Sequence, residues 1–579
     1  MASPPEEPTA ANMTVEQTLA LLDNDAKNVA EGVANGRYVF WLGSGISMGS
    51  VPGLTGVVQK VLEFLQTCAD LSNPDCAHHR ALSAAIKLTD LRPDERAALD
   101  LASPVESWTH LAQIIASLEK RYSELLDIRV EGEPRDYLLW NAVDVRNTYP
   151  AGAQPGCEHV CLAILSLEGV VSDIPSANWD GLIESAVGEL ARDPDQILRV
   201  VVLAEDFRDP QRRTRLLKFH GCALLAAHDE TKYRGALVGA QSQITDWPND
   251  NNSKLMATAL QTLATTKPTL MIGLSAQDTD IQDVFSKAKG LMPWSWRTEP
   301  PAHVFAEEQL GDMQRNLLKV VYRDEYERHG QEIEKGALVR AYAKPLLTAL
   351  VLYVLTAKLR AFIDTVEAPG IDKTGRETLG DGLKHLRDRL AEHGEPDHLA
   401  FVRSTVRAEA RAMSLLQTGT EPTVTDTFYR PLSTDPAEQI AGEAGLATTG
   451  VREMAAALGL LGSGSVAGAW EVTVGPTASG RNGALKVATT TTTGESAIYF
   501  AANGRAAAAI EASSTVTASA DDVVMIHSTE PVHSPARSAH SRFGRTGSTG
   551  IRHVDMCHLL STSRDLAELE SLFRQSAAL

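Results

Sequence analysis

The chain has 579 residues, 43% of them hydrophobic and 22% charged, proportions typical of a folded globular protein rather than a disordered one. That length is more than a single ordinary core organises, so two or more domains are expected. A formal net charge of −20 argues against a nucleic-acid groove spread over the whole surface, because neutralising phosphates takes clustered Lys and Arg.

Residues 1–13 are polar and read as a disordered start without the apolar stretch of a signal peptide. Thr14 to Ala34 places Val15, Leu19, Leu22, Ala26, Val29 and Val33 at helical spacing, with Thr14 and Gln17 as a capping box. The apolar run Tyr38–Leu42 reads as a strand, followed by a glycine turn and an apolar helix at Val57–Leu65. Residues 81–149 are helical and rich in charge, an insertion rather than part of a sheet. Alternation then resumes. Helices are expected at His159–Ser166 and Leu182–Leu190, and strands at Val170–Ile174, Arg199–Leu203, Leu216–His220, Ala236–Val238, Thr269–Ile272, His303–Ala306 and Leu318–Tyr322. Strands separated by helices indicate an α/β fold with a doubly wound, Rossmann-like parallel sheet.

Beyond Asp324 the pattern is helical to about Met413. Its apolar run from Pro345 to Ala357, between Lys344 and Lys358, is shorter than the ~20 residues that span a bilayer. A buried helix in a cytoplasmic, non-membrane protein is the better reading. Residues 419–436 read as a linker within a helical region at 326–461, and Ala437–Leu461 as one further helix. From 462 to 579 a smaller, β-containing α+β domain is expected, with β segments at Trp470–Val474, Ala484–Thr489, Ala497–Phe500, Ala506–Glu511 and Val523–His527 and a closing helix at Leu566–Gln575. Asn503-Gly504 is a hairpin signal between two of those segments.

Four short motifs stand at the ends of expected strands. Gly43-Ser44-Gly45-Ile46-Ser47 follows the first; glycines there let backbone N–H groups come close to a pyrophosphate, whose charge the next helix start favours. Taken alone it is equally a plain tight turn. Asn178-Trp179-Asp180 precedes a helix and by itself is as well explained as a cap. Lys218-Phe219-His220-Gly221 puts a histidine at a strand's carboxyl end, where doubly wound folds bind ligands, and Gly273-Leu274-Ser275 with Asp278 and Asp280 follows a later strand. An amide and an imidazole are what is needed to hold a ribose and manage a proton at its anomeric carbon.

In this order the motifs resemble the sirtuin family, and specifically its bacterial sirtuin-like NAD-hydrolysing branch. The glycine turn is similar to that family's Gly-Ala-Gly-Ile-Ser, and Asn178-x-Asp180 with Leu182-Ile183-Glu184 to its Thr-Asn-x-Asp-x-Leu-Ile-Glu, although Ser176-Ala177 replace the usual hydroxyl pair. The resemblance covers roughly residues 35–325 and implies a catalytic domain over 14–325. It implies NAD+ as substrate, Asn178 and His220 as catalytic residues, and Gly43, Ser44, Gly45, Ile46, Ser47, Asp180, Gly273 and Ser275 as the dinucleotide's contacts, with Asp180 on the nicotinamide carboxamide. Sirtuin deacylases carry four zinc cysteines after the histidine. Here only Cys222 and Cys557 follow His220, and Cys157 and Cys161 form a solitary pair, so no zinc and no deacylase activity are expected.

The resemblance further implies a regulated NAD+ hydrolase, the NAD-depleting effector of an anti-phage abortive-infection system, with control placed in residues 462–579. A zinc-free ADP-ribosyltransferase and a non-catalytic NAD or ADP-ribose sensor are the alternatives. Implied partners are a second copy in a homo-oligomer, a helicase-like ATPase or a short Argonaute; no strong direct nucleic-acid signal is seen. Residues 535–553, with Arg537, Arg542, Arg545 and Arg552 among histidines, read either as a dock for phosphate or an acidic surface or as an exposed loop.

Overall fold

Seven short strands form the first sheet: β1 (Val39–Leu42), β2 (Asp173–Ser176), β3 (Leu198–Val201), β4 (Thr214–Lys218), β5 (Thr269–Ile272), β6 (His303–Ala306) and β7 (Leu338–Val339). The computed structural model describes residues 8–149, 152–210, 212–423, 428–474, 485–489, 495–513, 523–528 and 551–579. Strand order is β3-β4-β2-β1-β5-β6-β7, and every pairing is parallel. Residues alternate between two cores because successive side chains leave opposite faces of a strand. Val39, Trp41, Met271 and Phe305 join the core made with the 77–149 helices. Phe40, Leu42, Leu270, Ile272 and Val304 join the core made with helices Val15–Asp23, Lys27–Ala34, Cys157–Leu167 and Ala343–Thr365. This is the doubly wound α/β sheet expected from the sequence.

Several elements differ from expectation. Thr14 caps the first helix through the capping box with Gln17, but the helix stops at Asp23 and a second runs Lys27–Ala34. Leu318–Tyr322 lies in helix Asp312–Tyr322, whose buried Leu317, Leu318, Val321 and Tyr322 recur at helical spacing. Ala236 ends a short 3₁₀ turn, Arg234–Ala236, and Leu237 and Val238 follow it without forming a strand. The sheet also runs past residue 325: β7 completes it, and helix Ala343–Thr365 contributes Leu346 to Val354 to the same core. That helix is long and apolar enough by length and composition alone to cross a membrane, yet 67% of its most apolar window is buried inside the fold.

The second part of the chain packs helices Lys373–Ala391, His398–Thr418 and Val451–Val466 on a five-stranded mixed sheet. Its strands are β8 (Trp470–Thr473), β9 (Leu485–Thr489), β10 (Glu495–Ala501), β11 (Val523–His527) and β12 (Arg552–Asp555). The order is β12-β11-β10-β9-β8, parallel across β10, β11 and β12 and antiparallel elsewhere. The expected strand at Ala506–Glu511 is a helix, Gly504–Ala512, because Asn503 accepts from the Arg505 and Ala506 amides as its N-cap instead of turning a hairpin. Ala437–Leu461 is likewise interrupted: Gly445 and Gly450 adopt positive φ, leaving two 3₁₀ turns before helix Val451–Val466.

What reads as a linker is clamped to the first domain over its described residues. Glu168, fully buried, receives Lys358 Nζ at 2.7 Å on one oxygen, and the Tyr429 hydroxyl (2.6 Å) and Leu432 N–H (3.1 Å) on the other. Gly169 is wedged here with φ +70, where a Cβ would strike the Thr434 carbonyl. Residues 529–550, which include Arg537, Arg542 and Arg545, lie outside the described residues.

Candidate functional site

Because β1, β2, β4 and β5 are parallel, the segments leaving their carboxyl ends gather on one edge of the sheet. β1 is the strand at which the order turns, with β2 on one side and β5 on the other, the position where open α/β sheets bind ligands. A cleft there is lined by Gly43, Ser44, Ser47, Asn178, Asp180, His220, Gly273 and Ser275. Eight of the ten residues singled out in the sequence therefore meet in one place, including both proposed catalytic residues.

Gly45 and Ile46 do not line it. Ile46 is buried in the core beneath the turn. The Gly45 N–H donates to the Gly273 carbonyl at 3.0 Å, the Gly43 N–H to the Ile272 carbonyl at 3.2 Å, and the Ile46 N–H back to Gly43 O at 3.2 Å. These three amides are engaged within the protein. The glycines also let the turns approach closely. A Cβ on Gly43 would stand 2.4 Å from Gly273 O, one on Gly45 2.6 Å from Gly273 Cα, and one on Gly273, itself at φ +62, 2.7 Å from Gly45 Cα. The turns after β1 and β5 thus lock backbone to backbone, and the hydroxyls of Ser44 and Ser275 are left exposed at the rim.

His220 follows β4 and is almost wholly buried. Its Nε2 lies 2.8 Å from Asp280 Oδ2, whose other oxygen accepts the Ile281 N–H at the start of helix Thr279–Leu291. Burial pulls the imidazole pKa down, but Asp280, with Asp278 adding to it, outweighs that and holds it above its ordinary value. With Nε2 bound to Asp280, Nδ1 is the nitrogen left to take a proton. Lys218, on the same strand end and buried, ties this region together: its Nζ donates to the Asp180 carbonyl, to Glu184 Oε1 at 2.8 Å and to Cys222 Sγ at 3.4 Å.

On the opposite wall Asn178 Nδ2 donates to Gly43 O at 3.1 Å and reaches Ser47 Oγ at 3.4 Å. Ser47 Oγ donates to Asp180 Oδ2 at 2.9 Å and meets His159 Nε2 at 3.1 Å. Asp180 Oδ1 accepts the Leu182 N–H at 3.2 Å, so each of its oxygens already holds one bond. Ser47 thus lines the cleft while its hydroxyl is bonded within the protein. His159 has no counterpart among the sequence motifs; on an apolar helix it looks like a core residue, and the only signal was its place three residues after Gly156.

Aromatic side chains narrow the cleft. Tyr122, from the helical insertion, donates to Asp278 Oδ1 at 2.7 Å. Tyr149 donates to Pro52 O at 3.1 Å and packs edge-on against Trp179, whose Nε1 donates to Val238 O at 3.1 Å. The space that remains for solvent is about 110 Å³, below the ~300 Å³ at which ordinary ligand pockets begin. The Tyr122–Asp278 and Tyr149–Pro52 bonds hold this narrow wall in place. Among the described residues no group of three or more His, Cys, Asp or Glu side chains is arranged to hold a metal. Cys157 and Cys161, 3.9 Å apart, share bonds with the Thr348 hydroxyl.

The fold and site together define a doubly wound α/β domain with its ligand cleft at the switch point of the sheet. Residues 173–348 match the family model described as a SIR2-like domain, a stretch that starts at β2 and ends inside helix Ala343–Thr365. SIR2-like domains use NAD+ as substrate, so the match supports an NAD-related function for this part of the chain. No curated protein matches the chain. The glycine turn after β1 precedes the matched stretch, yet it forms one wall of the same cleft.

Proposed function

We propose that the chain is an NAD+ hydrolase, releasing nicotinamide and ADP-ribose. The observation that carries this reading is the meeting of Asn178 and His220 in one cleft with the strand-end turns, His220 being oriented by Asp280. Breaking the glycosidic bond sends its electron pair to the pyridinium nitrogen, which leaves neutral, while positive charge develops on the sugar. Nicotinamide needs no acid to depart. Asn178 Oδ1 accepts from a ribose hydroxyl and fixes the sugar; His220 Nδ1 takes the proton from the water that bonds to the anomeric carbon. Asp280 holds the resulting imidazolium. Ser44 and Ser275, exposed at the rim, meet the phosphates or the far ribose in this reading.

The test is nicotinamide release by purified protein, alone and with the products of its neighbouring genes. Asn178→Ala and His220→Ala should each abolish release while leaving the thermal transition intact; full turnover by both removes the site assignment. Free ADP-ribose as product separates hydrolysis from transfer to a macromolecule, the second reading, and the presence of both catalytic groups disfavours a mere sensor. An NAD-depleting defence role, held silent by the C-terminal part and released by a second copy, a helicase-like ATPase or a short Argonaute, belongs to the same proposal. What supports a link between the parts is the buried clamp at Glu168, where Lys358, Tyr429 and Leu432 meet one carboxylate.

A further inference from the structure

We infer that Asp278 is a further catalytic residue: it accepts the second hydrogen of the water whose first hydrogen goes to His220 Nδ1. The inference rests on the reading of the cleft given above and deepens it.

Asp278 immediately precedes helix Thr279–Leu291, where an aspartate ordinarily turns its carboxylate onto the first amides of its own helix. Here it makes no such bond, and the Ile281 N–H goes to Asp280 Oδ1 instead. Asp278 lines the cleft, while Asp280 does not. One of its oxygens, Oδ1, accepts the Tyr122 hydroxyl at 2.7 Å. Burial and the neighbouring Asp278 and Asp280 charges hold the Tyr122 pKa well above its ordinary value, so the phenol keeps its proton and is the donor. Among the described residues the other oxygen, Oδ2, has no hydrogen-bond partner. A carboxylate oxygen left so calls for water or a ligand.

Its nearness to His220 decides which. Asp280 holds His220 Nε2 at 2.8 Å, and Asp278, two residues earlier, adds to the charge that raises the imidazole pKa. The effect is mutual: burial raises the Asp278 pKa, and the His220 charge draws it down. The open carboxylate oxygen and the open Nδ1 therefore border one region of the cleft. A pyrophosphate is repelled there. A water is suited, because it has two hydrogens and the two acceptors take one each. As its oxygen bonds to the anomeric carbon, the C–N electron pair leaves with nicotinamide and the hydrogen facing His220 transfers to Nδ1. The hydrogen facing Asp278 stays on that oxygen and becomes the anomeric hydroxyl hydrogen of ADP-ribose.

Methanol tests this, because its oxygen carries only one hydrogen and a methyl group would stand against the carboxylate. The assay is turnover of NAD with methanol as competing nucleophile, reading ADP-ribose against its 1-O-methyl glycoside. Wild type should make less glycoside than the proportion of methanol in the solvent predicts. Asp278→Asn should raise the ratio of glycoside to ADP-ribose about fivefold or more and lower kcat for hydrolysis about 10- to 100-fold, with KM within about twofold, since a charged acceptor is lost. Tyr122→Phe removes the tether but keeps the carboxylate, so its ratio should stay at the wild-type value. Should Asp278→Asn fold poorly, Asp278→Ser, which can cap the helix start, carries the same comparison; the ratio does not depend on how much protein is folded.

A wild-type kcat in Asp278→Asn, a slow variant with the wild-type ratio, or a Tyr122→Phe ratio raised as far as that of Asp278→Asn overturns the role of Asp278; the site stands if Asn178→Ala and His220→Ala are dead. If those two turn over normally, or the wild-type protein releases no nicotinamide in any state, the reading of the cleft falls and this inference with it.

Discussion

Replacing Asp280 by Asn separates charge from shape at the proposed base. Asn can keep the bond from the Ile281 amide and fill the same buried volume, so the helix start should survive. What changes is the group 2.8 Å from His220 Nε2: an NH2 there forces Nε2 to become the acceptor and moves the ring proton to Nδ1, the nitrogen needed as base. A hydrogen bond to a charged group contributes about 1.5–3 kcal/mol. At about 1.36 kcal/mol per decade the expected loss in kcat/KM is roughly 10- to 150-fold. The sign of the pH effect follows from the same pair. His220 is held above its ordinary value of 6.5, so wild-type activity should rise with pH through a limb above that value; in Asp280→Asn burial acts with less opposition and the limb moves to lower pH.

Stability gives an independent check. A group whose folded pKa is raised contributes stability that is complete below its unfolded pKa and is lost as pH rises through the folded one. The difference in Tm between wild type and Asp280→Asn should therefore be widest in mild acid and shrink as pH climbs past the wild-type limb. The assay is nicotinamide release from about pH 5.5 to 9 with a parallel thermal scan. An unmoved acid limb with unchanged kcat/KM would refute the role given to this carboxylate.

Three further outcomes are expected. Tyr122→Phe removes the hydroxyl that binds Asp278 across the cleft and should lower KM for NAD several-fold by easing its admission; an unchanged or higher KM, read from initial rates, counts against a gating role. Gly273→Ala places a Cβ 2.7 Å from Gly45 Cα at a positive φ, costing about 1–3 kcal/mol in backbone strain. It should lower the urea midpoint and cut turnover at least tenfold, whereas wild-type values would show the two turns can part cheaply. Lys358→Met removes the cation bonded to the buried Glu168 carboxylate, leaving the Tyr429 and Leu432 bonds, a loss of about 3–5 kcal/mol in chemical denaturation; a change under 1 kcal/mol would mean the ion pair is not stabilising.

Much of the site was legible because its parts are local. A glycine turn after an apolar run, an Asn-x-Asp before a helix and a His-Gly at a strand end each announce themselves over a few residues. Misreadings arose where short apolar runs fit two periods. Leu317-Leu318 and Val321-Tyr322 are a helical face that also passes for a strand, and Ala506–Ala509 is helix-prone alanine, which outweighed the hairpin appearance of Asn503-Gly504.

From the chain alone came the α/β class, the strand-end placement of Asn178 and His220, and the nature of the chemistry those side chains could do, since residue type and short spacing carry that information. Only the folded molecule decided which partners they keep. Asp280 reaches His220 across a helix start, His159 reaches Ser47 from a helix behind the sheet, and Gly43, Gly45 and Gly273 interlock backbone to backbone. Those contacts join residues far apart in sequence, and no local pattern encodes the distance or direction of a hydrogen bond that forms when two strands align.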